Sequence, residues 1–249
     1  MERTVELRIR RRGGVDEKAY WEEFSVPYEQ NMNVISALQA IQRNPINKRG
    51  ERVSPVVWEC NCLEEVCGAC TMNINGQVRQ ACSALIDHLK QPIILEPMTK
   101  FPLIRDLMVD RKKMFDALIK VMAWVTIDGT HNLGPAPRIE QKTQEIAYPL
   151  QRCMTCGCCL EACPQYNERS PFIGVSAINQ VRLFNLHPLG KMEAGKRLDA
   201  MMEKGGVHDC SNAQNCVQVC PKEIPLTDSI ASVAGAVTIH ALKKFLFGR

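Results

Sequence analysis

The run RCMTCGCCLEACP sets thiols at Cys153, Cys156, Cys159 and Cys163 with Pro164 behind them, the C-x2-C-x2-C-x3-C-P spacing that wraps a four-iron cluster. A second run, CSNAQNCVQVCP, repeats that spacing with one exception. Cys210, Cys216 and Cys220 hold the first, third and fourth places, and Ala213 fills the second. In two-cluster ferredoxins the fourth cysteine of each run ligates the other run's cluster. Crossed in this way, Cys153, Cys156, Cys159 and Cys220 hold a 4Fe-4S cluster, while Cys163, Cys210 and Cys216 offer three thiolates to the other. Three thiolates suit a 3Fe-4S cluster; a 4Fe-4S cluster with a solvent or substrate ligand on its open iron is the alternative. Upstream, NCLEEVCGAC places Cys62, Cys67 and Cys70 as C-x4-C-x2-C, with Cys82 after a hairpin, the plant-type 2Fe-2S spacing. Gly68 and Ala69 are small enough for backbone N–H groups to approach the sulfurs. A four-cysteine zinc site would use two short knuckles of similar size rather than one tight loop and a distant fourth ligand.

These sites use eleven of the 13 cysteines. Cys60 and Cys158 remain and read as small buried hydrophobes. So many thiols, odd in number, fit cluster ligation in a reducing compartment better than disulfides. The five histidines show no mutual spacing for a metal or catalytic pair and read as ordinary surface or core residues; His208 alone stands near a cluster ligand. No P-loop, activated serine or Gly-rich dinucleotide fingerprint is present, so no flavin or nucleotide site is expected on this chain. A formal charge of +4 over 249 residues is too weak to argue for nucleic acid, and RIRRR at 8–12 reads as a solvated face. No 18 to 20 apolar residues run uninterrupted: the tail SIASVAGAVTIHAL is short and broken by Ser232, Thr238 and His240. The N-terminus MERTVELRIRRR lacks the layout of a secretion signal.

The elements that must position these loops follow from periodicity. VELRIR and EEFSVPY alternate as two strands, NVISALQAI has helical spacing behind an Asn33 cap, and TMNINGQVRQ is a hairpin turning at Asn75-Gly76. PIILEP is a last strand, giving a β-grasp-like α+β domain over residues 1–105. From residue 106 to 249 the pattern is helical: DLMVDRKKMFDALIKVMAW as an amphipathic helix, DGTHNLGPAPRIE as a connecting arm, then VSAINQVRLFN, EAGKRLDAMMEK and TDSIASVAGAVTIHALKKFLF.

A plant-type ferredoxin domain followed by an all-α bacterial-ferredoxin-like domain with one complete and one Ala-substituted run resembles the iron–sulfur subunits of succinate dehydrogenase and fumarate reductase, respiratory complex II. NCLEEVCGAC, PLIRDLMVDR, RCMTCGCCLEACP and CSNAQNCVQVCP carry the likeness, which covers nearly the whole chain. The resemblance implies 2Fe-2S at Cys62, Cys67, Cys70 and Cys82, and the crossed ligands above for 4Fe-4S and 3Fe-4S. It implies a flavoprotein partner with covalent FAD, and a membrane-anchor cytochrome b subunit carrying haem b. Electrons released by succinate oxidation then pass singly to a quinone; fumarate reduction uses the same wiring in reverse. It also implies a peripheral place on the cytoplasmic face of the cell membrane, held by the anchor rather than by a transmembrane helix of its own. Pro164 and Ser211 fall at quinone-facing positions. The Trp that follows this proline in ubiquinone-reducing members is absent, Ser211 stands where a His is frequent, and GGVHDCSNAQNC resembles bacterial members that use menaquinone and a single two-haem anchor. A free-standing electron carrier for another dehydrogenase is the competing class, and the plant-type loop ahead of two bacterial runs argues against it.

Overall fold

Period-two burial runs along β1 (Thr4–Arg11), where Val5, Leu7 and Ile9 point into the core, and along β2 (Tyr20–Pro27), where Phe24 and Val26 do the same. These strands pair antiparallel, and β1 then pairs in parallel with β5 (Ile93–Glu96). The hairpin of β3 (Thr71–Ile74) and β4 (Gln77–Gln80), turning at Asn75-Gly76, completes a five-stranded sheet of order β2-β1-β5-β3-β4. Helix α1 (Val34–Arg43) buries Val34, Ile35, Leu38 and Ile41 in the core that the sheet's apolar residues share. Its Asn33 side chain accepts from the Ser36 N–H at 2.9 Å, the cap the sequence predicts. The computed structural model describes residues 3–126 and 137–248, and most of the predicted Gly/Pro arm, residues 128–136, lies outside them.

The chain divides into two units, Met1–Arg111 with Met154–Glu161, and Lys112–Cys153 with Ala162–Arg249. The stretch read as one helix from Asp106 breaks up. Leu103–Arg105 (β6) and Met108–Val109 (β7) pair across a turn in which Asp106 takes a φ of 47°, and helix α2 spans only Lys112–Lys120. Leu107 and Val109 fit a strand's period of two as well as a helical stripe, and the turn decides between them. In the second unit α3 (Gln141–Gln151), absent from the sequence reading, precedes the second cysteine run. The short α4 (Cys158–Glu161) belongs to the first unit and packs on β4. Helix α5 (Val175–Leu186) is the hub of the second unit, with α6 (Ala194–Met202) and α8 (Leu226–Phe247) against it and the short α7 (Asn215–Gln218) carrying Cys216. The fully buried Asn179 of α5 donates to the Leu150 carbonyl and accepts from Ser229, tying α3, α5 and α8 together. Arg197 of α6, equally buried, donates to the carbonyls of Met122, Trp124 and Gly190.

The basic run at 8–12 is not a uniformly solvated face. Arg11 shares the inward parity of Val5, Leu7 and Ile9, so it lies buried, 1% exposed, and reaches diagonally to Glu22, which has the inward parity of β2 and pairs in register with Ile9. Its guanidinium bonds Glu22 at 2.5 Å, Asp106 at 2.9 Å and the Ser54 carbonyl at 3.0 Å. Asp106 also accepts from the N–H groups of Arg12 and Val57, so one carboxylate joins the end of β1 to the chain leading into the first cysteine loop. Truncating one partner of such a buried pair strands the other charge. Asp106→Ala should cost about 3–5 kcal/mol, read as a fall in the urea midpoint of the full chain; a loss below about 1 kcal/mol, the worth of an exposed pair, would refute this assignment.

Candidate metal centres

The first loop curls around its own sulfurs. Leu63, Glu65 and Gly68 all adopt left-handed backbone, with φ of 62°, 55° and 71°. The turns aim the N–H groups of Glu64 and Val66 at Cys62 Sγ, each at 3.4 Å, and that of Ala69 at Cys67 Sγ at 3.4 Å. Hydrogen bonds to the charged form favour it, and these two pull the Cys62 thiol down to about 7. Cys70, at the mouth of β3, is buried and close to Cys82, just beyond β4; burial pushes its thiol up to about 12. The Asn33 side chain, besides capping α1, donates to the Cys82 carbonyl at 2.9 Å. N–H donors converging on sulfur are what a metal-bound thiolate accepts, so the residues present fit a 2Fe-2S group. Among the described residues, no three His, Cys, Asp or Glu side chains gather where a single ion could sit.

Met154–Glu161 of the second run docks on the first unit through three contacts. Gly68 abuts Cys156 so closely that a Cβ there would stand 2.5 Å from Cys156 Cα. Gln80 donates to the buried Cys158 Sγ at 3.3 Å. The Glu161 carboxylate, also buried, accepts from the Asn73 amide, the Thr99 N–H and hydroxyl, and the Lys100 N–H, all within 3.0 Å. Cys158 is thus the buried apolar filler predicted, its thiol held protonated by its bond to Cys156 and by burial; the same bond draws Cys156 down to about 7. Cys60, also expected to be buried, is exposed instead, because it precedes the loop rather than packing beneath it. Of the other residues assigned to the 4Fe-4S set, Cys159 belongs to the first unit, and Cys153 and Cys220 to the second.

Within the second unit, Cys163, Cys210 and Cys216 line one open-mouthed pocket. Pro164, Ser211 and Ala213 share its wall, with Phe172, Val175 and Ile230 as an apolar backing. Asn212 and Gln214 take left-handed φ of 54° and 63° on either side of Ala213, and Asn215 donates to the Ala162 carbonyl at 3.1 Å. Burial and the neighbouring Cys210 and Cys163 thiols push the Cys216 thiol up, so cationic iron would relieve the repulsion that opposes its ionisation. The three-thiolate set therefore fits a cluster with one vacant corner at Ala213. His208 is exposed in a turn beside Cys210.

Sequence reasoning missed Gln80, Asn73 and Glu161. The sole signal was Glu161, the one acid between Cys153 and Pro164.

Residues 6–116 match the family model described as a 2Fe-2S iron-sulfur cluster binding domain, and residues 149–224 the one described as a 4Fe-4S dicluster domain. The chain is 55% identical over 244 residues to the succinate dehydrogenase iron-sulfur subunit of Bacillus subtilis, covering 98% of this chain and 96% of that one. It is 29% identical over 218 residues to the fumarate reductase iron-sulfur subunit of Wolinella succinogenes, covering 86% and 88%. Its fold matches a solved chain described as the Mycobacterium smegmatis Sdh1 complex in the apo form with a TM-score of 0.79, at 20% identity, over 96% and 97% of the two chains.

Gly68→Ala must both adopt a φ of 71° and displace the Cys156 backbone, so it should destabilise the first unit by more than about 1 kcal/mol. It should also release Met154–Glu161, read as faster proteolysis at that segment; wild-type protection there would refute the docking role.

Proposed function

The chain belongs to the family of succinate dehydrogenase and fumarate reductase iron-sulfur subunits, and from that premise we propose that it carries electrons between a FAD-containing flavoprotein and membrane menaquinone. The direction proposed is succinate oxidation, on the likeness to the Bacillus subtilis subunit; fumarate reduction is the reverse use of the same chain. When bound, the iron–sulfur clusters supply one-electron redox chemistry, their potentials set by cluster type and by the hydrogen bonds to the sulfurs. The 2Fe-2S group is assigned to Cys62, Cys67, Cys70 and Cys82, the 4Fe-4S group to Cys153, Cys156, Cys159 and Cys220, and the 3Fe-4S group to Cys163, Cys210 and Cys216. Residues 1–105 would then form the plant-type domain and 106–249 the two-cluster domain.

The observation that carries the reading is the pocket that Cys163, Cys210 and Cys216 share with Ala213. Its wall also supplies Pro164 and Ser211, both exposed, as the side at which quinone would approach. Docking on a cytochrome b anchor is supported by α8, whose Ile239, Leu242, Phe245 and Leu246 are exposed apolar residues and whose exposed Lys243 offers charge to lipid headgroups. The complex would sit on the cytoplasmic face of the cell membrane.

Low-temperature EPR on the anaerobically purified complex tests the assignment. The oxidised sample should show a three-iron signal that vanishes on dithionite reduction as a reduced 2Fe-2S signal appears. Ala213 is exposed, so a thiol can replace its methyl without overpacking. Ala213→Cys should convert the three-iron site to a four-iron one, lower its potential and slow quinone reduction; an unaltered three-iron spectrum in that variant would refute the ligand set.

A further inference from the structure

The loop between Cys67 and Cys70 is gripped through its own carbonyls. Arg111, 11% exposed, donates from one terminal nitrogen to the Gly68 carbonyl at 2.7 Å and from the other to the Ala69 carbonyl at 2.5 Å. Its third donor, Nε, is buried without a protein acceptor. The Glu59 carboxylate, 3.5 Å away and 36% exposed, is too distant and too wet to neutralise the cation fully. Gly68 and Ala69 are also the residues whose backbone serves the site: Ala69 N–H points at Cys67 Sγ, and Gly68 seats against Cys156. A fork of two parallel N–H donors fixes both carbonyls at once, a geometry lysine cannot reproduce.

We propose that Arg111 is a positioning residue for the first cluster: it holds the Gly68-Ala69 peptides so that the loop's N–H groups face sulfur and the loop stays seated on Cys156, and its charge favours the reduced cluster. The proposal rests on Cys62, Cys67, Cys70 and Cys82 being the 2Fe-2S ligands. Reduction adds a negative charge beside a largely desolvated cation, so removing the cation makes reduction harder, and removing the carboxylate that opposes it makes reduction easier. The two substitutions therefore act with opposite sign, which a tether without electrostatic effect would not produce.

A redox titration of the intact complex, followed by the reduced 2Fe-2S EPR signal, reads the midpoint potential directly. Arg111→Gln should lower it, Glu59→Gln should raise it, and Arg111→Lys should keep it nearer the parent value while broadening the signal, because one carbonyl loses its donor. If Arg111→Gln fails to retain the cluster, Glu59→Gln decides, a raised potential supporting the proposal and an unchanged one overturning it. Unchanged potentials in both Arg111→Gln and Glu59→Gln overturn it as well. A parent complex that shows no reduced 2Fe-2S signal sinks the ligand assignment itself, a failure separate from that of the variants.

Discussion

The Glu161 carboxylate, buried in the first unit, takes its hydrogen bonds from Asn73 on β3 and from Thr99 and Lys100 in the chain after β5. A buried carboxylate is tolerable only when its lone pairs are satisfied, and here one strand side chain and the turn that follows β5 supply the donors. That bond set brings Met154–Glu161 to the β-grasp unit although the segment follows the first domain by some forty residues of chain. With the segment fixed, Cys158 fills the gap beneath Gln80, and Cys156 meets Gly68 at a distance that excludes any side chain. The proximity of one cysteine run to the loop of another thus rests on the satisfied carboxylate together with these two close contacts.

Thiol chemistry divides along the same lines. Cys62 gains two backbone donors because left-handed residues turn the chain around it, and its thiol ionises near neutrality. Cys70 and Cys216 lie inside, near other thiols, and resist ionisation. A protein without metal therefore holds a mixture of protonated and ready thiols, and cluster insertion must release protons from the buried ones.

Local signals in the sequence carried much of this. The Asn33 cap and the Asn75-Gly76 hairpin are decided by neighbours within a few residues, and each stands where the sequence predicts it. What was not legible depends on partners far along the chain. Arg11 reads as one more cation in a basic run until β2 brings Glu22 within reach of its side chain. The helical stripe from Leu107 ends at a turn because Asp106 is committed to Arg11, Arg12 and Val57. Cys60, judged by residue type alone, was placed inside; its exposure follows from the loop geometry that spends its inward positions on Cys70 and Cys82.

Helix α8 shows why average hydropathy is a poor guide to such a tail. Its 22 residues, with a mean hydropathy of 1.4 across an 18-residue window that is only 11% buried, are long and apolar enough to cross a bilayer. Yet one side is committed to the second unit: Ser229 bonds Asn179, Val233 and Val237 are buried, and Asp199 of α6 accepts from Lys244 and bonds His240, both at 2.9 Å. The opposite side carries Ile239, Leu242 and Leu246, all more than half exposed. Crossing a membrane would strip the packed side of its protein partners and carry Asp228, Lys243 and Lys244 toward hydrocarbon, at about 2.5–3.5 kcal/mol for each charge that reaches the centre. Lying against an apolar surface costs neither, because only the side already bare changes its surroundings. The two faces of α8 therefore favour a helix that stays packed on the second unit over one that spans.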